Sequence, residues 1–436
     1  MGAETQREEN VGLNGIAGTV GINAAVEYML ANDDPDLHLT RGNDLVFKRN
    51  GPEGGVDEDI VRDFARYLAE FGNQGRRLLD EPIRTSARRM AVVRAIEAHR
   101  NRLRFVVDNY VTHPDNGRYL VDPLHEVRDD TIELDAIKDP QEIPWSDGEH
   151  PAGHVVDATT QIVTADDIRK HLRGRVTQAV KTAPAKGGGF DFLWVAGVTD
   201  DGFRPAEHRA IAEGACTLQC FGAVMDPLFG VKNLRPQRIE FSTIHGVTGD
   251  QKLVRGFRPE DMPRGLPGDE DFIRTKSGSA GDLTQLVRFL ALRHGTFARY
   301  KAQEDLIAEL VEKTRLTSAT RVPPKDSATL DFRVEADGDF TQDDILEAYR
   351  IFGREHPEVL RVEENPVAIA SSTIRGRRES GIMFLDTLEV EDGHIIRGTA
   401  GYAHEDNSPH ASMRISKMIA ERKRMKPAIT GAGVAG

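Results

Sequence analysis

Apolar and polar positions in this chain change period several times, and each change predicts a passage between strand and helix. A short apolar segment at 10–13 predicts a first strand, and a glycine-rich turn separates it from the helical spacing of 22–30. A second strand is predicted over 37–42. The order strand, glycine turn, helix, strand is typical of an α/β domain whose first turn holds the pyrophosphate of a dinucleotide.

The C-terminal half has a different pattern, in which longer alternating runs dominate. The runs that predict strands are 238–244, 328–334, 382–390 and 394–402. The turn Glu391-Asp392-Gly393 has hairpin chemistry between the last two runs. Thr341 is a suitable N-cap for a helix that ends near 352, and a closing helix is predicted over 411–423. This pattern predicts a second domain with a largely antiparallel sheet.

The segment 51–108 has a composition of its own. After a loop at 51–55, residues at helical spacing predict a helix: Ile60, Phe64, Leu68 and Phe71. A second helix is predicted over 87–107, and nine arginines face three acids between Arg76 and Arg104. The arginines could pair with acids of a neighbouring subunit, or they could dock an acidic partner, RNA or a polyphosphate. No aromatic residues interleave to stack on bases, which favours the first interpretation.

Length and composition narrow the class of protein. At 436 residues with 39 % hydrophobic content, the chain is long enough for two domains with real cores. No apolar run reaches the roughly eighteen residues of a membrane-spanning helix, so none is expected. The first residues lack the features of a secretory signal, and two cysteines without a disulfide framework fit a reducing cytoplasm. A net charge of −13 argues against general nucleic-acid binding.

The two cysteines are the strongest candidates for chemistry. Cys216 and Cys220 lie one helical turn apart, directly after a Glu-Gly turn signal. A cysteine at a helix N-terminus faces the positive end of the helix dipole, which favours the thiolate. His245 follows the strand predicted at 238–244 and could lie beside Cys216 as base or as imidazolium partner. The alternative is a buried structural cysteine with an ordinary loop histidine.

The residues around Cys216 and His245 resemble a known family. Ala-Cys-Thr-Leu-Gln-Cys from Ala215 and His-Gly-Val-Thr-Gly-Asp-Gln from His245 are similar to two motifs of the phosphorylating glyceraldehyde-3-phosphate dehydrogenases. The resemblance implies that Cys216 and His245 are catalytic. It also implies that a phosphorylated aldehyde is oxidised through a cysteine thioester, which inorganic phosphate releases as an acyl phosphate. Thr217 and Thr248 would bind the substrate and its phosphate.

Other motifs resemble the cofactor contacts of that family. The glycine turn at 14–21 is similar to the family's turn with one residue inserted, and it implies an NAD pyrophosphate site at Gly15, Gly18, Thr19 and Val20. Asp44 would accept hydrogen bonds from the ribose hydroxyls of NAD. Lys48 and Arg49 nearby could instead bind a 2′-phosphate, so NADP is an alternative cofactor. A solvated loop is the alternative for these charges. Thr159 and Thr182 follow strand ends that the cofactor would cross, and Asn407 would contact the nicotinamide amide.

Two further matches concern phosphate. Lys-Ser-Gly-Ser from Lys276 and Thr-Arg-Val-Pro from Thr320 are similar to segments that bind oxyanions in the family. The resemblance implies that Ser277 and Gly278 hold inorganic phosphate at a helix N-terminus. Arg321 would bridge the two phosphate pockets through its bidentate guanidinium.

The resemblance spans about residues 11–418 and implies an architecture. We expect a Rossmann-type dinucleotide-binding domain at 11–215, with a helical insert at about 51–108. An α+β catalytic domain with a mixed, largely antiparallel sheet would follow at 216–405, and a C-terminal helix at 406–425 would pack back on the first domain. A homotetramer is the expected assembly, and neither a membrane partner nor a metal site is predicted.

Departures from the family pattern cluster at the cofactor contacts and leave other functions open. They are the extra residue in the glycine turn, Ala185, Ala215 and Pro409-His410. One alternative is a dehydrogenase for a different anionic aldehyde, and another is an enzyme that releases its thioester to water. The third is a non-catalytic homologue that serves binding or assembly through the arginine-rich segment.

Overall fold

The computed structural model describes residues 9–17, 19–29, 37–48, 55–71, 83–84, 89–112, 119–121, 127–159, 161–182, 187–248, 268, 270–275 and 280–424. Within them the helices are α1 Thr19–Met29, α2 Glu58–Phe71, α3 Ala165–Arg169, α4 Cys216–Gly230, α5 Ala280–Arg293, α6 Gln303–Glu312, α7 Gln342–Glu355, α8 Ser371–Ile374 and α9 Asn407–Arg424. A short 3-10 helix, Leu45–Phe47, follows the second strand.

The N-terminal half of the described chain forms one mixed sheet. Its strands are β1 Glu9–Asn14, β2 Leu37–Asn43, β3 Ile83–Arg84, β4 Arg89–His99, β5 Arg102–Thr112, β6 Tyr119–Val121, β7 Val127–Asp135, β8 His154–Asp157, β9 Gln178–Lys181, β10 Phe192–Trp194 and β11 Ala210–Glu213. They lie in the order β10-β11-β9-β8-β1-β2-β7-β5-β4-β3, and β6 pairs with β5.

The strands from β10 to β7 in that order are parallel, and the remaining ones are antiparallel. The chain leaves β1 toward β2 on one side and returns at β8 on the other, so the strand order reverses between β1 and β8. Ligands of open α/β sheets bind in the crevice at the carboxyl ends of such neighbouring strands. Asn14 and Asp157 end these two strands and therefore mark the expected crevice.

Helices α1 and α9 cover this sheet together. Alternating residues of β1 and β2 are fully buried, and Ile415 and Ile419 of α9 join the same apolar cluster. The Tyr28 hydroxyl of α1 lies 2.6 Å from the Ser416 hydroxyl of α9. The C-terminal helix thus packs on the N-terminal half of the chain.

The helix predicted over 87–107 is wrong, because this segment forms the antiparallel pair β4–β5. Exposed Arg102 and Arg104 alternate with fully buried Leu103 and Phe105, which is the period of a strand. Arg100 turns the chain with a φ of 54°.

The helix predicted from Ile60 onward is confirmed as α2. Arg104 pairs with Glu97 on the same hairpin at 3.0 Å, so one of the arginines finds its acid locally.

A second sheet follows, with strands β12 Arg235–Val247, β13 Ile273–Thr275, β14 Thr314–Lys325, β15 Ala328–Asp337, β16 Leu360–Glu363, β17 Gly381–Glu391 and β18 Ile395–Tyr402. Their order is β13-β14-β12-β15-β18-β17-β16, and most pairs are antiparallel. The strands share one apolar cluster with α4, α5, α6 and α7. Nearly every side chain of α4 is buried, which is typical of a helix inside a domain.

The two halves confirm the predicted fold class. A Rossmann-type sheet with a parallel core lies beside an α+β domain whose mixed sheet is largely antiparallel. The predicted hairpin turn is also confirmed, since Asp392 and Gly393 have positive φ values of 52° and 74°. Among the described helices, none combines the length and the apolar character that crossing a bilayer requires.

Candidate active site

The sulfur of Cys216 lies at the first residue of α4. Strand β11 ends at Glu213, and Ala215 turns the chain as an N-cap that has no side chain to bond the first N–H groups. The helix N-terminus is therefore open toward whatever lies before it. The backbone N–H groups of Cys216 and Thr217, with the Thr217 hydroxyl, are placed to hydrogen-bond a thiolate. Cys216 is partly exposed, whereas Cys220 one turn later is fully buried.

His245 comes to this thiol from the other sheet. It lies near the end of β12, and its Nε2 is 3.5 Å from the Cys216 Sγ. Its Nδ1 lies 2.7 Å from the Gly246 carbonyl oxygen and also contacts the Arg321 Nη1, so a role of His245 as base requires the tautomer whose Nδ1 proton is donated to the carbonyl. In that tautomer the Nε2 lone pair faces the thiol. The sequence-predicted pair is therefore brought together in the structure.

Arg321 joins the pair through the register of the second sheet. Strands β12 and β14 run parallel, and Arg321 is paired with His245 across them. Its Nη1 contacts the His245 Nδ1 and donates to the Gly246 carbonyl oxygen at 2.9 Å. The guanidinium is therefore a fixed positive charge beside the thiol and the imidazole.

The electrostatics differ from the sequence-based expectation of a thiolate. Burial raises the pKa of the Cys216 thiol, although Arg321 and Thr217 act in the opposite direction. Burial, the neighbouring His404 and Arg321 hold the pKa of His245 well below its usual range. A neutral thiol thus faces a neutral imidazole near pH 7, and the helix N-terminus alone does not ionise the cysteine.

Tyr402 forms the polar floor of this pocket. Its hydroxyl lies 2.8 Å from the Thr217 hydroxyl and 2.9 Å from the Thr243 hydroxyl, and all three residues are buried. The ring also packs edge-on against His245, with centroids 5.9 Å apart. Thr217 is a predicted substrate contact, and in the structure its hydroxyl lies at Tyr402 and at the thiol.

A second histidine, His404, was missed by sequence reasoning. Its ring lies against that of His245, with centroids 4.1 Å apart, and only 6 % of the residue is exposed. Its Nε2 lies 3.0 Å from the Val247 carbonyl oxygen. The one signal in the sequence was its position three residues before Asn407, which had been assigned to the cofactor.

Asn407 connects the thiol to the C-terminal helix. Its Nδ2 donates to the carbonyl oxygens of Cys216 at 3.2 Å and Ser380 at 3.4 Å. The Oδ1 is buried and has no hydrogen-bond partner among the described residues. A buried amide oxygen in this state is an acceptor that a ligand N–H can satisfy. The carboxamide of a nicotinamide has such an N–H.

The glycine turn after β1 has the backbone that a phosphate site needs. Gly15 has a φ of +80°, and a side chain at Gly21 would meet the Gly15 carbonyl oxygen at 1.9 Å. The turn therefore packs tightly against the start of α1, where the backbones of Thr19 and Val20 form the first turn of the helix. Gly18 lies outside the described residues.

Asp44 follows β2 and already accepts two backbone hydrogen bonds. Its Oδ2 receives the Ala17 N–H at 3.1 Å, and its Oδ1 receives the Val46 N–H at 3.1 Å. Each carboxylate oxygen retains a further lone pair, so ribose hydroxyls can still bind there. Lys48 is exposed close by, and Arg49 lies outside the described residues.

The ends of β8 and β9 hold a buried ionic network around Asp157. The Lys181 Nζ lies 3.2 Å from one carboxylate oxygen, and the His171 Nε2 lies 3.1 Å from the other. Burial alone would raise the pKa of Asp157, but its hydrogen bonds and Lys181 hold it below the usual range. The hydroxyls of Thr159 and Thr182 donate to Asp157 as well, at 2.7 and 3.3 Å. Both threonines thus brace the strand ends.

Glu213 at the end of β11 is another buried ionisable group at this edge of the sheet. The hydroxyls of Ser408 and Ser412 in α9 donate to its two oxygens at 2.9 and 2.6 Å. Burial raises the pKa of Glu213 to about 8 despite these bonds. The carboxyl is therefore largely protonated near pH 7.

The predicted phosphate contacts are described only in part. Thr248 follows β12 and is half-buried, and Arg321 lies at His245 as described above. Ser277 and Gly278 lie outside the described residues, as does the segment 249–267. Strand β13 pairs with β14 in the antiparallel sense, with Ile273 opposite Arg321 and Thr275 opposite Ala319.

The residues at the crevice fit a nicotinamide dinucleotide. The positive φ of Gly15 and the start of α1 suit the pyrophosphate, and Asp44 suits a ribose. The Asn407 Oδ1 without a partner suits the carboxamide beside Cys216.

Comparison with characterised proteins points in the same direction. The chain is 27 % identical to "Glyceraldehyde-3-phosphate dehydrogenase 1" of Bacillus cereus over 293 residues, which are 66 % of this chain and 77 % of that protein. It is 26 % identical to "Glyceraldehyde-3-phosphate dehydrogenase 2" of Staphylococcus aureus over 68 % of this chain and 79 % of that protein. It is 25 % identical to "Glyceraldehyde-3-phosphate dehydrogenase" of Priestia megaterium over 67 % of this chain and 78 % of that protein. No model of a known protein family matches the chain.

These similarities support a distant relationship to the glyceraldehyde-3-phosphate dehydrogenases. The relationship agrees with the fold, in which a Rossmann-type sheet and an α+β domain meet at Cys216.

Proposed function

We propose that this chain is an NAD(P)-dependent dehydrogenase that oxidises a phosphorylated aldehyde through a thioester on Cys216. The observation that carries the proposal is the 3.5 Å approach of the His245 Nε2 to the Cys216 Sγ at an open helix N-terminus. Asn407 supports it, because one side chain binds the carbonyl of Cys216 and offers an unused acceptor. Thiol, base and cofactor contact thus lie together.

The neutral pair defines how the reaction starts. As the Cys216 sulfur bonds to the aldehyde carbon, its proton passes to the His245 Nε2, because both groups are neutral beforehand. The carbonyl oxygen becomes an oxyanion, which the Cys216 N–H and the protonated His245 stabilise. The nicotinamide, when bound, supplies the acceptor for the hydride that leaves this carbon.

The second half of the reaction releases the acyl group. An oxygen of inorganic phosphate attacks the thioester carbon, the C–S bond breaks, and the thiolate regains a proton through His245. Arg321 provides positive charge next to the reacting centre throughout. Ser277, Gly278 and Thr248 complete the phosphate contacts in this proposal, on the ground of their motifs. The proposal includes a homotetramer, which sedimentation analysis can test.

The test is an assay of NAD and NADP reduction with glyceraldehyde 3-phosphate, in the presence and absence of phosphate. We expect reduction that depends on phosphate and is lost in Cys216→Ser, because an alkoxide is not accessible near neutral pH. His245→Ala should lose about 10²–10⁴-fold in kcat, the usual contribution of a general base. His394→Ala, which replaces an exposed histidine in the β17–β18 turn, is the matched control and should leave the rate unchanged.

Each other outcome identifies an alternative. Reduction that is equally fast without phosphate would mean that water releases the thioester. Reduction of the cofactor only with other anionic aldehydes would show that the substrate is a different aldehyde and would leave the proposed mechanism unchanged. Absence of nicotinamide binding by calorimetry at millimolar concentration would overturn the proposal and leave a non-catalytic homologue.

A further inference from the structure

The first turn of α9 is fastened to the strand that leads to Cys216. Glu213 is the last residue of β11 and is fully buried. Its two carboxyl oxygens lie 2.9 Å from the Ser408 hydroxyl and 2.6 Å from the Ser412 hydroxyl. Side chains at this spacing lie on one face of a helix, so a single carboxyl group bridges a full turn of α9.

The orientation of Glu213 follows from the period of its strand. Ile211 on the same strand is fully buried and belongs to the apolar cluster that contains Ala411 and Ile415 of α9. Because side chains two positions apart lie on the same face of a strand, Glu213 faces this helix as well. The carboxyl group is thus buried between the sheet and α9, where it needs hydrogen-bond partners.

The two serines can satisfy the carboxyl group in its neutral form. The Ser412 hydroxyl also lies 3.1 Å from the Ser408 carbonyl oxygen, so it has a second acceptor within the helix. It can therefore donate there and accept from Glu213 when the carboxyl group carries a proton. A glutamine side chain has the same pair of groups, one acceptor oxygen and one donor, and can make both contacts.

Asn407 begins α9 and depends on these contacts for its position. It directly precedes Ser408, and its own anchors are longer. The Nδ2 donates to the carbonyl oxygens of Cys216 at 3.2 Å and Ser380 at 3.4 Å, whereas the Oδ1 is buried without a partner among the described residues. The two shorter contacts of Glu213 therefore fix the helical turn that carries this amide.

The thiol side of this junction has separate support. Gln219 in α4 donates from its Nε2 to the carbonyl oxygens of Trp194 and Gly214, at 3.2 and 3.3 Å. These bonds hold the turn before Cys216 from within the helix that the thiol begins. Loss of the Glu213 contacts should therefore displace the start of α9 and leave the thiol in place.

We propose that Glu213 is a positioning residue, which holds Asn407 where its Oδ1 can accept a hydrogen bond from the carboxamide of the nicotinamide. This inference rests on the contact between Asn407 and the nicotinamide in the proposed function. It gives a role to a buried carboxyl group that neither the catalytic pair nor the phosphate contacts use.

The test compares NAD with ADP-ribose, which has the same adenosine and pyrophosphate but no nicotinamide, by calorimetry. In Glu213→Leu the affinity for NAD should fall by about tenfold, the order of one hydrogen bond, because the amide is displaced from the carboxamide. The affinity for ADP-ribose should stay at the wild-type value. If the wild type selects NADP, that cofactor and 2′-phospho-ADP-ribose take the place of the first pair.

Two matched variants separate positioning from a general loss of stability. Glu213→Gln keeps one acceptor and one donor for the serines and should bind NAD like the wild type. Ser416→Ala removes another fully buried hydroxyl of α9, which lies 2.6 Å from the Tyr28 hydroxyl and 2.7 Å from the His154 Nε2. It lies farther along the helix than Asn407, so it should lower the midpoint of urea unfolding without changing the preference for NAD over ADP-ribose.

The outcomes separate this inference from the proposed function. A wild type that binds neither NAD nor NADP would refute the function, and the inference with it. A wild type that binds NAD no more tightly than Glu213→Leu does would overturn the inference alone. Equal losses toward NAD and ADP-ribose in Glu213→Leu, or the same loss of preference in Ser416→Ala, would show that Glu213 only supports the fold. The inference also fails if Glu213→Gln binds NAD as weakly as Glu213→Leu.

Discussion

The thiol pocket and the carboxyl edge of the first sheet are both buried and polar, but they use hydrogen bonds in opposite ways. In the pocket, the His404 Nδ1 and the Asn407 Oδ1 are buried without partners among the described residues. At the sheet edge, the polar groups of Asn14, Asp157 and Lys181 are all engaged with one another or with backbone. The unpaired acceptors of the pocket can still bind a ligand donor, whereas the paired groups at the sheet edge support the strand ends.

The comparison also separates two kinds of polar contact within one crevice. The hydroxyls of Thr159 and Thr182, two predicted cofactor contacts, donate to Asp157. Their contribution is to hold the strand ends in position. Asn407 has the same predicted role, and its Oδ1 is buried without a hydrogen-bond partner among the described residues.

Among the variants that test this comparison, Lys181→Met should cause the largest loss in the free energy of unfolding. The substitution removes the only lysine from the Asp157 network and leaves a buried carboxylate without its ion-pair partner. Breaking a buried pair from one side typically costs about 3–5 kcal/mol. Urea unfolding should show this as a lower midpoint with an unchanged slope.

Two further variants test the interpretation. The double variant Lys181→Met with Asp157→Asn should recover much of the loss, because no buried charge remains. Lys301→Met, at an exposed lysine, should leave the midpoint unchanged. A single variant as stable as the wild type would mean that the sheet edge is not the saturated support described above.

A smaller and pH-dependent effect is expected from Glu213→Gln. The folded-state pKa of Glu213 is raised from 4.5 to about 8, so its contribution to stability is fully present below pH 4.5 and is lost as the pH rises through about 8. The glutamine variant should lack this decline, because it has no proton to lose. Thermal unfolding from pH 5 to 8.5 measures the difference, with the exposed Glu207→Gln as control. Parallel pH curves for wild type and Glu213→Gln would contradict the assignment.

The smallest effect concerns the reactivity of the thiols. Brief iodoacetamide treatment should label Cys216 and spare Cys220, because only the first is partly exposed and burial raises the pKa of the second further. Arg321→Ala should slow the labelling of Cys216 by about tenfold, since a nearby cation is worth at least about one pKa unit. Arg321→Lys keeps the charge and should remain close to the wild type. Preferential labelling of Cys220 would show that the pocket is closed.

The sequence allowed the local parts of this account to be predicted. The turn before Cys216, the strand that ends near His245 and the glycine turn at Gly15 are short-range features, and all three have the expected backbone. The strands β4 and β5 were misassigned because valine, alanine and charged residues fit a helix as well as a half-exposed hairpin. The antiparallel pairing of β4 with β5, and the exposure of Arg102 and Arg104 on either side of buried Leu103, distinguish the two.

The long-range parts could not be predicted from local patterns. Tyr402 meets Thr217 across 185 positions of the chain, and His404 meets His245 only because β15 lies between β12 and β18. The pKa of Cys216 is likewise a tertiary property. The helix N-terminus favours a thiolate, but the burial that opposes it is produced by the second sheet.

The most direct measurement of the central claim is a single-turnover experiment with NAD, NADP and glyceraldehyde 3-phosphate in the absence of phosphate. The account predicts a rapid burst of reduced cofactor close to one per chain, together with an acyl group on the peptide that contains Cys216 by mass spectrometry. Added phosphate should release the acyl group and restore turnover. If reduced cofactor forms without a burst and no acyl group is found on Cys216, the thioester mechanism is contradicted.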